Sequence, residues 1–273
     1  SAIYPPVAQI LFKGIAYISP SLLFSKSIFT LFDLLTCLCI IGLMRYWHTP
    51  AKNIVWYAFN PVILVAFAGQ GHLDSLQIFF TTLSLLFFYR KQWAFMFVAI
   101  ALAAGSKYTS LALLPFLVNR QNWRYSWVFI ISFIAPAFLF DASFGEILFS
   151  LKRFATTRNF NDSVHAIFFQ LTGENIAIST AIIIGLFLIA YSFFYFTQYS
   201  PLRAGFLITA CLLILSPTVH QWYLAWLIPF LVFFPSRAWL LLCLTSTVYY
   251  NATTTENFEL STMEILIQYI PFY

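Results

Sequence analysis

Two apolar stretches of this chain are joined by Gly69-Gln70-Gly71-His72-Leu73-Asp74-Ser75, which sets an amide, an imidazole and a carboxylate between two glycines and a resuming apolar run. His72 and Asp74 stand two positions apart and can both face water, the imidazole donating or accepting and the carboxylate holding a proton or a cation. The glycines permit positive φ and close backbone approach. Each polar group also has a plainer role. Asp74 stands where a helix should begin and can satisfy its free amides there, while His72 can be a hydrogen-bonded histidine at a helix end.

Lys107 interrupts a second apolar stretch at Gly105-Ser106-Lys107. A cation in such a place is costly unless it meets water or an anion, and phosphate is the anion that a membrane surface supplies. Snorkelling of the ammonium toward headgroups is the simpler alternative. Further on, Ser216-Pro217-Thr218-Val219-His220-Gln221-Trp222-Tyr223 sets an imidazole beside aromatic rings. Trp222, Tyr223 and the nearby Trp226 fit an aromatic belt at a bilayer surface, and such faces also stack on sugar rings. Asn161 lies in Asn159-Phe160-Asn161-Asp162-Ser163, and Arg153 and Arg158 precede it on a segment that reads as interfacial. Asn161-Asp162-Ser163 and Asn251-Ala252-Thr253 also match the N-glycosylation acceptor pattern, a weak signal.

The elements that must position these groups belong in a membrane. Hydrophobic types make up 61% of the 273 residues and charged types 8%, with mean hydropathy +0.84. A soluble domain carries about a quarter charged residues, so this composition excludes one. The expected fold is all-α, a polytopic transmembrane helical bundle in one integral-membrane domain over 1–273. About ten apolar segments are expected, near 27–45, 54–70, 74–89, 92–105, 108–118, 125–140, 176–197, 203–216, 222–235 and 238–251. Several fall short of the roughly 20 residues that cross hydrocarbon, which suits broken or re-entrant helices lining a cavity.

Charge orients the bundle. Arg45 and Lys52, Arg90 and Lys91, Arg120 and Arg124, Arg203, and Arg237 occupy alternate connections without Asp or Glu, which makes those connections cytoplasmic. Of the nine acidic residues only Asp33 falls within a membrane segment; the rest lie on the opposite face, together with every candidate group named above. Residues 7–20 and the extracytoplasmic loop 141–175 read as interfacial amphipathic helices. Cys37, Cys39, Cys211 and Cys243 lie in apolar runs without metal or disulfide spacing. No nucleotide-binding motif appears, no metal site is indicated, and nucleic acid is not an expected partner. The chain opens on Ser-Ala-Ile-Tyr-Pro-Pro without Met and stops within aromatic sequence, which reads as a fragment.

Tyr4-Pro5-Pro6, Asn60-Pro61 followed by Gly71-His72-Leu73-Asp74-Ser75-Leu76, Lys107 ahead of Leu113-Leu114-Pro115, Asn159 to Ser163, and Ser216-Pro217 with His220-Gln221-Trp222-Tyr223 together resemble the GT-C superfamily of integral-membrane glycosyltransferases. Within it the chain is most similar to polyprenyl-phosphate-mannose-dependent mannosyltransferases, where an Asn-Pro and then a Gly-His-Asn-Asp-Ala-Leu stretch are common. The resemblance runs from Tyr4 to about Trp226. It implies transfer of a sugar, with inversion, from a polyprenyl-phosphate donor to a hydroxyl of a glycan, glycolipid or protein acceptor on the extracytoplasmic or lumenal side. No cofactor is implied. The general base of the family is an acidic residue of the first outer loop, which would lie upstream of Tyr4. Gln70, His72, Asp74, Lys107, His220, Trp222, Tyr223, Asn161, Arg153 and Arg158 are then expected to bind donor or substrate. Leu73 stands where the family often has Asn. A competing reading, a transporter or flippase of a lipid-linked sugar, is motivated by Asp33 and the broken segments.

Overall fold

A computed structural model describes residues 4–140, 160–254 and 260–273. The described residues are helical, and among them the only β-type pairing is an isolated parallel bridge between Phe160 and Thr218. Two of the described helices are long and apolar enough to cross a membrane, Leu22–Tyr46 and Ile176–Phe196. A third span results if Ala51–Ala58 and Pro61–Gly69, bent by 46°, count as one. The expectation of about ten segments therefore meets shorter pieces elsewhere, such as Asp74–Tyr89, Trp93–Ser106 and Pro201–Leu215.

Leu22–Tyr46 starts where the Ser21 hydroxyl accepts the Phe24 amide. It buries Phe29, Asp33, Thr36, Ile40 and Leu43, spaced by three and four, on one stripe. Leu31, Leu34, Leu38 and Ile41 are exposed on its other side. A helix apolar on both sides suits lipid outside and protein inside. Asp33 accepts from the Tyr57 hydroxyl at 2.7 Å, so its partner is a neutral phenol and not Lys26 or another cation.

The bend after Ala58 has a local cause. Asn60 caps the next helix through Val62 N–H, and Pro61, which lacks an N–H, takes the first position, where none is needed. That helix widens into a π-helical stretch, Leu64–Gly69, and the chain then turns sharply at Gly71. Gly71 has φ +72°, and a Cβ there would meet Lys26 Cγ at 3.0 Å, so both its conformation and its closeness to Leu22–Tyr46 require glycine. Gly69 has neither constraint.

Asp74–Tyr89 lies against both Leu22–Tyr46 and Trp93–Ser106 and is the central helix of this half. Leu85 and Leu86 pack there with Cys39, Leu43, Phe97 and Ile100. Trp93–Ser106 ends against the helix Pro6–Ile18, where Gly105 admits Val7 so closely that a Cβ would come within 2.5 Å of it. Residues 141–159 of the expected interfacial loop, with Arg153 and Arg158, lie outside the described residues. Its remainder holds the short helix Val164–Leu171.

Candidate functional site

The sharp turn at Gly71 delivers Asp74 as the first residue of its helix, buried at 5% exposure. Its carboxylate does not cap that helix: no side chain does. Asp74 Oδ1 instead accepts from Lys107 Nζ at 2.7 Å and from Trp226 Nε1 at 2.6 Å. The capping role expected of Asp74 is replaced by a tertiary one, because the Lys107 ammonium and the Trp226 indole N–H both donate to that oxygen.

Lys107 is the extended residue that stops Trp93–Ser106. Its ammonium lies 4.2 Å from the ring centroids of both Tyr223 and Trp226, which stack on each other at 4.3 Å. One carboxylate and two π faces thus surround it, and the snorkelling alternative does not describe it. Burial lowers the ammonium's pKa from the ordinary lysine value, and Asp74 opposes that by favouring the charged form. The Lys107 turn is bolted to the Asp74 helix by Gln77, whose amide donates to Thr109 Oγ1 at 3.1 Å and Ser110 Oγ at 2.9 Å. Gln77 sits three positions after Asp74, so the pair and its brace share one helix face.

His72 stacks on Trp222 at 4.0 Å and 21°, and His220 stacks on Trp222 at 4.5 Å and 6°. Both faces of the indole are therefore covered, and Trp222 as placed has no face left for a sugar ring. Gln70 Oε1 lies 3.0 Å from His72 Nε2, and the Tyr249 hydroxyl lies 2.8 Å from His220 Nδ1. Burial pulls the His72 pKa below its ordinary value; Asp74 pushes it up and Lys107 pushes it down. Asn161 is a strut beside this stack. Its side-chain amide donates to Val219 O at 3.0 Å, its backbone carbonyl accepts from the Tyr269 hydroxyl at 2.7 Å, and its side chain is too buried to serve as a glycosylation acceptor as placed. Phe160 N–H donates to Pro217 O and Val219 N–H to Phe160 O, both at 3.0 Å, which ties this segment to the one bearing His220.

The structure thus gathers Gln70, His72, Asp74, Lys107, His220, Trp222 and Tyr223, with Asn161 at the edge. Sequence reading left Trp226 in the aromatic belt and passed over Gln77, Thr109 and Ser110. The Asp74-x-x-Gln77 spacing was the available signal for the brace, since it places two polar side chains on one face of an apolar helix.

Beside Lys107 a cavity of about 380 Å³ opens between Ile176–Phe196 and Pro201–Leu215. Thr180, Ile183, Ile184, Phe187, Leu212 and Leu213 line it, while Lys107, Tyr223 and Trp226 form one wall and Ser216 to Thr218 another part of its lining. The arrangement is an apolar chamber with one ammonium and a few hydroxyls, suited to a molecule with an apolar body and an anionic group.

Residues 1–121 match the family model described as alpha-(1->6)-mannopyranosyltransferase, N-terminal domain. That stretch contains Asp74 and Lys107 but not the aromatic wall contributed by Tyr223 and Trp226. No curated protein and no solved structure matches the chain. The family match supports a glycosyltransferase, and within that class a mannosyltransferase, in agreement with the resemblance carried by the motifs.

Proposed function

We propose, from this mannosyltransferase match and from the cavity beside Lys107, that the protein is a polytopic membrane enzyme of one domain. It moves a mannosyl group from a polyprenyl-phosphate donor to an acceptor hydroxyl on the extracytoplasmic face. The observation that carries the reading is the pairing of a largely apolar chamber of about 380 Å³ with a single ammonium on its wall. Such a chamber accommodates part of an isoprenoid, and the ammonium meets the phosphate to which the sugar is attached.

In the transfer, the acceptor oxygen forms a bond to the anomeric carbon as the bond from that carbon to the phosphate oxygen breaks. The electron pair leaves with the polyprenyl phosphate. Charge develops on the departing phosphate, and a fixed cation near it lowers the barrier. Lys107 fills that role, and Asp74, braced with it by Gln77, Thr109 and Ser110, sets where the ammonium stands. Two donors on one oxygen make Asp74 a positioning residue. The acceptor's proton passes to a general base, which in the family that this chain resembles is an acidic residue of an outer loop. No cofactor or metal enters the scheme.

The test is reconstitution of the full chain in liposomes with radiolabelled polyprenyl-phosphate mannose or, separately, a mannose nucleotide, and an extract of membrane glycans as acceptor. Labelled product is expected from the lipid donor alone. Transfer from the nucleotide sugar in the absence of lipid donor would sink the proposal.

A further inference from the structure

We infer that binding of the anionic donor at Lys107 draws a proton onto His72, two residues from the carboxylate that holds Lys107 and outside the chamber's own lining. The inference rests on the phosphate reading of the Lys107 site. As built, the pocket holds one ammonium already matched by one carboxylate, at 2.7 Å. A sugar phosphodiester brings one further negative charge into a chamber lined by Ile183, Phe187, Leu212 and Leu213. An unmatched charge in such surroundings is strongly disfavoured, and the usual escape is a change of protonation nearby.

Two groups are placed to take that proton. Asp74 is poorly suited, because Lys107 Nζ and Trp226 Nε1 both donate to its Oδ1, and donors to a carboxylate favour its ionised form. His72 is well suited. Its ring lies over Trp222 at 4.0 Å, where an imidazolium gains cation–π attraction that the neutral ring lacks. Its Nε2–H donates to Gln70 Oε1 at 3.0 Å, which fixes the neutral tautomer and leaves Nδ1 as the atom that takes the proton. Burial favours the neutral imidazole, with Asp74 favouring its charged form and Lys107 opposing it. An anion seated at Lys107 cancels that opposition.

Other ionisable groups stand around it. Lys26, from Leu22–Tyr46, packs its stem beside Gly71. His220 lies across Trp222 and meets the Tyr249 hydroxyl, and the Tyr4 phenol is within electrostatic reach of Asp74. None of these adds a second carboxylate that would charge His72 beforehand.

The direction of the pH dependence follows. The complex holds the proton more tightly than the empty site, so affinity is greatest below the empty-site pKa of His72. Above that pKa it falls by up to about tenfold per pH unit, until pH passes the pKa in the complex, and is flat thereafter.

The experiment measures binding of farnesyl methyl phosphate to the full chain in nanodiscs between pH 5.5 and 8.5. This phosphodiester keeps one negative charge across the whole range, and farnesol serves as the uncharged control. Affinity of the wild type is expected to fall about tenfold with rising pH, while farnesol shows no trend. His72→Gln should flatten the profile; His220→Gln should keep its slope; Lys107→Gln should weaken binding at every pH. Calorimetry of the wild type at pH 7 in two buffers of different ionisation enthalpy should show net proton uptake, a reading independent of any variant's folding. A flat wild-type profile without proton uptake, or an unchanged slope in folded His72→Gln protein, overturns the assignment. Failure of the probe to bind at any pH removes the phosphate reading itself, and the inference with it.

Discussion

Two carboxylates of this chain hold an imidazole or an ammonium in the interior, and they do so to opposite ends. Asp162 meets His165 Nδ1, and His165 Nε2 lies 3.2 Å from Ser179 Oγ. Acid, imidazole and hydroxyl in a row have the connectivity of a nucleophilic triad. Yet His165 and Ser179 are both fully buried, and Ser179 Oγ also donates to Ile176 O at 3.2 Å. The row pins Val164–Leu171 to Ile176–Phe196 and presents no atom to a substrate. Asp74 is also buried, but Lys107 is only partly so, and its ammonium borders a chamber of about 380 Å³ and rests on aromatic faces instead of on further acceptors. A paired charge becomes a site only where one partner has a face toward open space and a hydrogen left to donate.

Three substitutions sharpen or break that contrast. Lys107→Ala should reduce kcat/KM for the lipid donor by about 10²–10³-fold, the loss found when one preorganised donor to a developing charge is removed. Rates within threefold of wild type would make the Asp74 cluster as structural as the Asp162 one. Trp226→Phe keeps the ring under the ammonium and deletes only the N–H to Asp74, so transfer should fall by about threefold to tenfold, less than the full worth of a bond to a charged group because Lys107 still holds the carboxylate. A loss equal to that of Lys107→Ala would mean that the indole N–H itself contacts substrate. His165→Ala should lower unfolding stability by about 1–3 kcal/mol, as buried partners lose a hydrogen bond, with transfer per folded molecule unchanged. A loss of transfer in folded His165→Ala protein would give the Asp162 cluster a part in the reaction.

The helices were legible where hydropathy and geometry end together. The run read at 74–89 is the helix Asp74–Tyr89, and the run at 92–105 is Trp93–Ser106. They were less legible where a turn is itself apolar. The run at 54–70 conceals the break at Asn60-Pro61, and 222–235 conceals short turns around Leu227, because proline and tight helical turns interrupt hydrogen bonding without interrupting hydropathy. At the site, the individual groups were visible as polar residues stranded in apolar sequence. Their partnerships were not. Lys107 reads alike whether it faces headgroups or Asp74, and Trp222 reads alike whether its faces are free or covered by His72 and His220. Residue type reports what a side chain can bind, while only the packing of distant segments decides what it does bind.

The bond between Trp226 and Asp74 joins positions 152 residues apart. At ordinary rates of protein synthesis, about 5–20 residues per second, the indole emerges roughly 8–30 s after the carboxylate that awaits it. Lys107 follows Asp74 by 33 residues, about 2–7 s, and for the rest of the interval the two have only each other, with neither aromatic face beneath the ammonium. A nascent chain caught before Trp226 therefore holds an ion pair at the membrane with water still around it. Completion of the wall is also the moment at which the aromatic faces reach the ammonium and the indole N–H reaches Asp74, so the cluster is finished late in synthesis.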